Sequence, residues 1–316
     1  MERESLIGQT AMITGGGRGL GRAFALGLAA TGMSVAVVSR TDDQLAETVR
    51  HVEAAGGRAA AFRTDVSSPR DVAETVRAVE QTFGKIDLLI NNAGVGGPVG
   101  PAWQVDAEDW WSCLEVNVRG TFLCCHAVLP GMMARGQGRI INVASYAGTL
   151  AVPYMSAYNA SKTAVIRFTE TLAAEVRKHG IPVFSIDPGT VRTAMTNRLI
   201  TSEEGRRWLP WCEKLFSDQR DDSVEPATAL VVFLSSGAGD ELSGRVLSIR
   251  DQPADLARRI DHIKRENLYT LQLPRPQPAL VRAVKDLLRP AKRRIQGAFA
   301  GGTRKSSRNV GTRERH

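Results

Sequence analysis

The sequence has few cysteines and no long hydrophobic segment. Four cysteines occur in 316 residues, and their spacing fits neither a metal site nor a disulfide framework: Cys113, Cys124, Cys125 and Cys212. No apolar run approaches the roughly 20 residues that a membrane-spanning helix needs, and residues 1–5 lack the basic and then apolar pattern of a signal peptide. We therefore expect a soluble, cytoplasmic protein with reduced thiols, no metal and no transmembrane segment.

Excess charge is absent from most of the chain, although the formal net charge is +8. Residues 283–316 contain ten Lys or Arg and two Asp or Glu, so this segment alone accounts for the +8. Such a tail could bind nucleic acid or an anionic membrane by nonspecific attraction. Its glycines and serines, with few aromatic residues, favour a disordered, solubilising tail instead, and nucleic-acid binding is not expected.

Short apolar runs alternate with helix-like segments as far as residue 249, without an intervening linker. Five of these runs have the character of buried parallel strands: 35–38, 59–62, 88–90, 140–143 and 183–186. The alternation predicts one α/β domain over residues 1–252, with a doubly wound parallel sheet covered by helices on both faces. A helical extension over 253–282 is expected to follow, with a charged helix near 254–266.

A glycine-rich turn separates the first predicted strand, at 9–13, from a helix-like segment at 22–30. The turn reads Thr-Gly-Gly-Gly-Arg-Gly-Leu-Gly over residues 14–21. Glycines here permit a tight turn and let backbone N–H groups approach a pyrophosphate at the positive end of the helix dipole. A lone glycine motif could be only a flexible turn, but its place between a strand and a helix indicates dinucleotide binding.

Tyr158 and Lys162 lie four residues apart in Tyr-Asn-Ala-Ser-Lys, on one face of a predicted helix. A tyrosine, with an ordinary pKa of about 10, is a poor acid–base group near neutral pH. An adjacent ammonium group favours the phenolate, so we expect Lys162 to lower the pKa of Tyr158. The pair alone is weak evidence, since the same spacing is common on solvated helix faces. Asn117 and Ser145 upstream strengthen it.

In this order the motifs resemble those of the short-chain dehydrogenase/reductase family, over roughly residues 8–250. The glycine turn has the family's Thr-Gly-x-x-x-Gly-x-Gly spacing. The remaining signatures follow in sequence: Asp65-Val66, Asn91-Asn92-Ala93-Gly94, Asn117, Ser145, Tyr158, Lys162 and the Pro-Gly-Thr-Val-Arg-Thr run at 188–193. The resemblance implies a Rossmann-like fold and an NAD(P)-dependent oxidoreductase that interconverts a ketone or aldehyde and an alcohol.

The resemblance also implies roles for individual residues. Tyr158 would exchange a proton with the substrate oxygen, Ser145 would donate a hydrogen bond to that oxygen, and Lys162 would assist the phenol. Asn117 would anchor a water that relays protons from Lys162. The dinucleotide is expected to contact residues from every motif: Thr14, Gly15, Gly17, Arg18, Gly19, Leu20, Gly21, Ser39, Arg40, Asp65, Val66, Asn91, Ala93, Gly94, Tyr158, Lys162, Pro188, Gly189, Val191 and Thr193.

The end of the second predicted strand bears on the choice between NADP(H) and NAD(H). An NAD-preferring site usually has an acidic side chain there, which a 2′-phosphate would repel. This chain has Ser39 followed by Arg40, and Arg18 lies in the glycine turn. Arginine suits phosphate recognition, so the sequence favours NADP(H). Asp42 and Asp43 nearby weaken the inference unless they cap the next helix, and NAD(H) stays open as the alternative.

Residues 193–217 correspond to a substrate lid in the family that the chain resembles. Met195, Trp208, Trp211 and Phe216 could line a roomy apolar pocket, which favours a bulky hydrophobic substrate over a small polar one. Ordinary packing or a subunit interface is the alternative for these aromatic residues. By the same resemblance we expect a homodimer or homotetramer, formed through helices around 106–135 and 157–178.

Two other classes of function stay open at the level of sequence, because a fold does not fix a function. The chain could be a nucleotide-sensing binding protein on a dehydrogenase scaffold, although intact Ser145, Tyr158 and Lys162 argue against it. It could also associate with nucleic acid through its basic tail. Salt-dependent binding that is lost on deleting 283–316 would support that second class.

Overall fold

The structure, a computed structural model, describes residues 6–273, in which parallel strands alternate with helices. The strands are β1 (Thr10–Thr14), β2 (Ser34–Ser39), β3 (Arg58–Arg63), β4 (Leu88–Asn91), β5 (Arg139–Val143), β6 (Val183–Asp187) and β7 (Val246–Ser248). The helices are α1 (Gly19–Ala29), α2 (Asp42–Ala54), α3 (Pro69–Phe83), α4 (Ala107–Leu114), α5 (Gly120–Arg135), α6 (Ser156–Val176), α7 (Ala194–Thr201), α8 (Glu203–Trp208), α9 (Pro210–Ser217), α10 (Glu225–Ser235) and α11 (Pro253–Arg265).

The strands form one parallel sheet in the order β3-β2-β1-β4-β5-β6-β7. In register, Thr14 of β1 is opposite Val38 of β2, and Ile13 is opposite Ile90 of β4. The order of the strands reverses between β1 and β4, so the connections after them leave on opposite faces. Their carboxyl ends therefore flank a crevice, which is where open α/β sheets bind ligands. The predicted doubly wound fold is confirmed.

Alternate side chains along each strand enter two separate hydrophobic layers. Ile13 of β1 packs in the layer that contains Phe24 of α1, beneath α1, α2, α10 and α11. Met12, its neighbour, packs in the layer that contains Met132, beneath α3, α5 and α6. All four side chains are fully buried. Near-continuous apolar strands are thus explained by the burial of both faces of the sheet.

The run at 59–62 forms a strand but not a buried one, which corrects that part of the prediction. β3 pairs only with β2 and lies at an edge of the sheet. Its residues are half-buried or exposed, including Ala61 and the flanking Arg58 and Arg63. Three consecutive alanines look apolar in sequence, but position within the sheet decides their burial.

The charged helix predicted near 254–266 is observed as α11. Its apolar face, formed by Leu256, Ile260 and Ile263, packs into the same layer as Phe24. The compact unit continues to Leu271, and the Val246 N–H of β7 donates to the Tyr269 carbonyl at 2.9 Å. The start of the predicted extension is therefore part of the main hydrophobic core. The remainder of that extension and the basic tail lie outside the described residues.

Within residues 6–273, no helix is both long and apolar enough to cross a membrane.

Candidate active site

A cleft lies at the carboxyl ends of the strands, above the reversal between β1 and β4. It is lined by segments that follow β1, β2, β3, β4, β5 and β6, together with the start of α6. Most of the site residues predicted from the sequence meet there: Gly15, Gly17, Arg18, Gly19, Leu20, Ser39, Arg40, Asp65, Val66, Ala93, Gly94, Ser145, Tyr158, Lys162, Pro188, Gly189, Val191 and Thr193. Motifs that are separated by up to about 180 positions in sequence therefore converge on one cavity.

Thr14, Gly21 and Asn91 were also predicted to contact the dinucleotide, but the structure does not place them in the cleft lining. Thr14 Oγ1 accepts hydrogen bonds from the N–H groups of Asn92 and Ala93, both at 3.0 Å. The buried Asn91 donates from Nδ2 to Asn142 Oδ1 of β5 at 2.9 Å. The side-chain polar groups of Thr14 and Asn91 form hydrogen bonds within the fold, so these two residues support the walls of the cleft.

The glycine turn after β1 is shaped by close backbone contacts that only glycine permits. A Cβ on Gly21 would lie 2.2 Å from the Gly15 carbonyl oxygen. Gly15 has φ +63°, and a Cβ there would lie 2.8 Å from Asn92 Nδ2. The Gly17 carbonyl is fixed by Arg22, whose Nη2 donates to it at 2.8 Å. The turn is thus held rigid before any ligand binds, which reduces the entropic cost of binding.

Two arginines lie where the sequence places the adenosine end of a dinucleotide. Arg18 and Arg40 line the cleft beside Ser39, and neither forms an ion pair with another residue in the part of the chain that the structure describes. Asp42 lies within the first turn of α2 and its carboxylate is 3.8 Å from Arg63 Nε, so it does not neutralise Arg40. The end of β2 is therefore cationic.

Asp65 follows β3 at the same end of the cleft. Its Oδ1 accepts hydrogen bonds from the backbone and side chain of Ser67 at 2.9 and 2.7 Å. The Ser67 hydroxyl is the main cause that holds the pKa of Asp65 below its usual value, and the charge of Arg40 adds to the effect. Asp65 therefore presents an ionised carboxylate as a fixed acceptor.

The predicted catalytic side chains lie together at the other end of the cleft. Tyr158 and Lys162 occupy successive turns of α6, with Lys162 Nζ 5.7 Å from the centre of the Tyr158 ring. Ser145 follows β5, and its Oγ accepts from the Ala147 N–H at 3.2 Å, which leaves the hydroxyl proton free to donate. Interaction with the Ser145 hydroxyl also lowers the pKa of the Tyr158 phenol.

The lowered pKa that the sequence predicts for Tyr158 is not the direction found in this arrangement. Burial raises the pKa of Tyr158 to about 12, and the interaction with Ser145 only partly offsets it. Burial also lowers the pKa of Lys162 to about 8, so its ammonium form is itself disfavoured. Lys162 Nζ donates to the Val143 carbonyl at 2.8 Å rather than to the phenol. Desolvation is therefore the largest influence on the pKa of both groups.

Asn117 lies behind these groups, in a π-helical segment (Glu115–Arg119) between α4 and α5. Its side chain holds the Val95 backbone through both polar atoms, at 2.8 and 2.9 Å, and Nδ2 donates to Ser161 Oγ at 2.9 Å. Ser161 in turn donates to the Tyr158 carbonyl. The Asn117 side chain thus ties the loop after β4 to α6.

Sequence reasoning missed several residues of the site. Asn92 lines the cleft and donates from Nδ2 to the carbonyls of Thr14 and Gly15, which explains the second asparagine of its motif. Thr64 and Gln44 also line the cleft. Asp187, directly before the Pro-Gly pair, lies beneath Ser145 and accepts from the Tyr146 N–H at 3.0 Å. Its position directly before the Pro-Gly pair is the sequence signal that points to it.

A second cavity, of about 610 Å³, adjoins the cleft and shares Gly94, Val95 and Met195 with its lining. Met195 and Trp208 line it, as predicted, together with the loop after β4. Trp211 and Phe216 do not: Trp211 is half exposed, and the buried Phe216 packs against the Arg192 guanidinium. The wall also includes polar and charged residues, namely Gln104, Asp109, Ser112, Arg198, Ser202 and Glu204. The cavity is therefore roomy but mixed in character.

The residues of the cleft fit a nicotinamide dinucleotide. The backbone of Gly17 and Gly19 lines the cleft at the start of α1, where N–H groups and the helix dipole favour a pyrophosphate. Arg18 and Arg40 supply cations at one end, and the phenol of Tyr158 and the amine of Lys162 line the other. Among residues 6–273, no cluster of His, Cys, Asp or Glu is arranged to hold a metal ion.

Comparison with known proteins agrees with this geometry. The model of the family described as short chain dehydrogenase matches residues 9–204. Gluconate 5-dehydrogenase of Gluconobacter oxydans is 36% identical, covering 78% of this chain and 94% of that protein. A 3-oxoacyl-[acyl-carrier-protein] reductase of Synechocystis is 38% identical, covering 79% and 92%.

Solved structures give the same result. An NAD⁺-bound xylitol dehydrogenase superposes with a TM-score of 0.72 at 30% identity, covering 78% of this chain and 99% of that one. Levodione reductase has the same TM-score and identity, with coverage of 77% and 96%. The resemblance inferred from the motifs is thereby confirmed. The chain belongs to the short-chain dehydrogenase/reductase family and is an NAD(P)-dependent oxidoreductase acting on CH–OH or C=O groups.

Proposed function

We propose that the protein is an NADPH-preferring oxidoreductase that interconverts a bulky ketone or aldehyde and its alcohol. The observation that carries the choice of NADP(H) is the pair of arginines, Arg18 and Arg40, beside Ser39 at the end of β2. Two guanidinium groups without a described ion-pair partner suit the 2′-phosphate, and β2 ends in Ser39 rather than in the acidic residue that would receive a ribose 2′-hydroxyl. The volume of the second cavity supports a substrate larger than a simple alcohol.

The proton-transfer roles follow from the positions of the side chains. The nucleotide, when bound, supplies or accepts the hydride. Tyr158 donates its proton to the substrate oxygen during reduction and removes it during oxidation. Ser145 donates its free hydroxyl proton to the same oxygen and stabilises the charge that develops there. Lys162 lies behind Tyr158 and returns protons to it.

The route by which protons leave the site is also a proposal. The Asn117 side chain is occupied by Val95 and Ser161, so a relay water would bind to its backbone carbonyl. A carbonyl oxygen can accept two hydrogen bonds, and this one accepts from Thr121 Oγ1 at 2.8 Å.

Replacing Arg40 by Ala should weaken NADPH binding about 10- to 100-fold, because a charge-assisted hydrogen bond to phosphate contributes about 1.5–3 kcal/mol. NADH binding should change little, since it lacks the 2′-phosphate. The measurement is quenching of protein fluorescence by each nucleotide. The matched control is Arg50→Ala, an exposed arginine of α2 outside the cleft. Equal loss of NADPH and NADH affinity in the Arg40 variant would contradict the proposed preference.

Substrate class is tested by turnover with a panel of carbonyl compounds and alcohols. The panel should contain a bulky alicyclic ketone, a sugar acid and a 3-oxoacyl thioester, because the relatives include proteins named for the last two classes. We expect the highest kcat/KM for the alicyclic ketone with NADPH. Best turnover of a small polar substrate would exclude the bulky-substrate proposal.

We also propose that the protein forms a homodimer or homotetramer through α4, α5 and α6. Trp111 of α4 and Phe122 of α5 are 59% and 47% exposed, and Phe122 contacts Phe168 of α6 edge to face. Burial of such aromatic surface against a second copy would be favourable. Light scattering of the full-length chain, compared with a Phe122→Asp variant, tests this assembly.

A further inference from the structure

Trp208, the last residue of α8, lines the second cavity with a half-buried indole ring. Its N–H group forms no hydrogen bond with any of residues 6–273. The indole of Trp110, by contrast, donates from Nε1 to Ser156 Oγ at 3.1 Å. An indole nitrogen can only donate a hydrogen bond, and a few polar groups in a cavity wall usually fix the orientation of a ligand. The N–H of Trp208 is therefore a donor available to a molecule in this cavity.

The edge of the ring that carries this N–H faces Gly100, which lines the same cavity. A Cβ on Gly100 would lie 3.8 Å from Trp208 Nε1 and 4.0 Å from Cδ1. Gly100 has φ +152°, a conformation that glycine adopts far more readily than other residues. The backbone at this position thus favours glycine, and no side chain of residue 100 covers the N–H.

Tyr154, two residues before the start of α6, packs against the same indole. The two ring centres are 4.8 Å apart, and the ring planes are inclined by 38°. The Tyr154 carbonyl also accepts from the Gly100 N–H at 2.9 Å. Arg207 adds a further contact, with its Cζ 4.8 Å from the centre of the Trp208 ring. Tyr154 therefore contacts both the indole and the glycine beside its N–H edge, which fixes the two relative to each other.

The backbone of Tyr154 is strained. Its φ of +67° lies in the left-handed region, which is an outlier for a bulky side chain. Such conformations are unfavourable and persist where the surrounding structure requires them, often beside ligand sites. The next residue, Met155, packs with Leu209 in a small apolar cluster that Tyr158 also contacts. Two consecutive residues thus hold the end of α8 beside the proposed acid–base tyrosine.

We propose that the Trp208 N–H binds a hydrogen-bond acceptor on the substrate, apart from the reacting carbon, and that Tyr154 is the positioning residue that orients this donor. The substrate class is then a bulky ketone or alcohol with a second, acceptor-bearing group. This inference rests on the proposed function, because the cavity adjoins the cleft in which reduction would take place. A site that presents a buried donor discriminates against analogues that lack the acceptor.

The indole N–H can be observed directly in the full-length chain. The protein has five tryptophans, so nitrogen-15 labelling gives five indole resonances, and Trp208→Phe identifies that of Trp208. The probes are 4-phenylcyclohexanone and 4-(4-pyridyl)cyclohexanone, which share one shape and differ by an acceptor nitrogen. NADP⁺ is added because it has no hydride to transfer, so neither ketone is turned over. We expect the pyridyl ketone alone to shift the Trp208 N–H proton downfield. The same response to both ketones, or none to either, overturns the inference.

Reduction of the same two ketones with NADPH gives a second measurement. KM should be about fivefold lower for the pyridyl ketone, the factor expected from one neutral hydrogen bond. Trp208→Phe keeps an aromatic ring without the N–H, so its two KM values should be equal while kcat changes little. The matched control is Trp211→Phe, at a half-exposed tryptophan outside the cavity, which should keep the wild-type ratio. An unchanged ratio in Trp208→Phe, or an equal loss in Trp211→Phe, contradicts the proposed donor.

Tyr154→Gly tests the positioning role. Glycine adopts φ +67° without strain, so the fold should be retained while the ring that packs on Trp208 is lost. The KM ratio should fall to that of Trp208→Phe, whereas Tyr154→Phe, which keeps the ring, should preserve it. A wild-type ratio in Tyr154→Gly would refute the positioning role. A pyridyl-specific shift without turnover of either ketone would refute the proposed function and leave the binding site standing, whereas turnover without that shift would do the reverse.

Discussion

Tyr158→Phe is expected to lower turnover by about 10²- to 10⁴-fold, the usual contribution of a general acid–base group. The phenyl ring keeps the packing against Met155, Leu209 and Cys212 but has no proton to exchange with the substrate oxygen. Nucleotide affinity should stay within about twofold, because one side-chain hydroxyl is lost without exposing a charge. The measurements are steady-state kcat with the best substrate of the panel and fluorescence titration with NADPH.

Tyr146→Phe is the matched control for that substitution. Tyr146 is the neighbour of Ser145 in sequence, but its ring is 61% exposed and does not line the cleft. It should retain near-wild-type turnover. Turnover by Tyr158→Phe that equals the control would refute the proton-transfer role, and loss of NADPH binding would show instead that the hydroxyl supports the fold of the cleft.

Lys162→Met is expected to abolish most activity while changing how stability depends on pH. The folded pKa of Lys162 is about 8, below its ordinary 10.5, because burial disfavours the ammonium form. Between these values the unfolded chain binds more protons, so the stability of the wild type rises with pH through this window. Below about pH 8 the full penalty applies, on the order of 3 kcal/mol from the shift in pKa.

The methionine variant lacks this linkage. The free energy of unfolding of the wild type, relative to Lys162→Met, should therefore increase between about pH 8 and 10.5 by up to about 3 kcal/mol. Urea denaturation at both ends of the window measures the difference. Lys178→Met, at an exposed lysine, should track the wild type at both values. A pH-independent difference between wild type and Lys162→Met would show that the amine is not held in a desolvating site.

The fold was predictable because its determinants are local. Parallel strands buried on both faces need continuous apolar runs. The turn after β1 needs glycine, because a Cβ on Gly21 would lie 2.2 Å from the Gly15 carbonyl oxygen. Both requirements concern residues that are adjacent in the sequence, so they can be recognised there. The burial of 59–62 was not predictable in this way, because β3 has the composition of an interior strand and only the order of the sheet places it at an edge.

The properties of the site also fall into a local group, which the sequence predicts, and a group that depends on the tertiary structure. The sequence alone predicted which side chains carry the chemistry, since Ser145, Tyr158 and Lys162 stand in recognisable motifs, and it showed that Ser39, followed by Arg40, stands where an NAD-preferring site usually has an acid. Their ionisation depends on groups that are distant in sequence. The distance from Lys162 to the phenol, the burial that opposes both charges, and the carboxylate of Asp187 beneath Ser145 exist only once six strands bring these segments together. Tertiary structure decided those properties, because desolvation and charge–charge interactions depend on distances through space rather than along the chain.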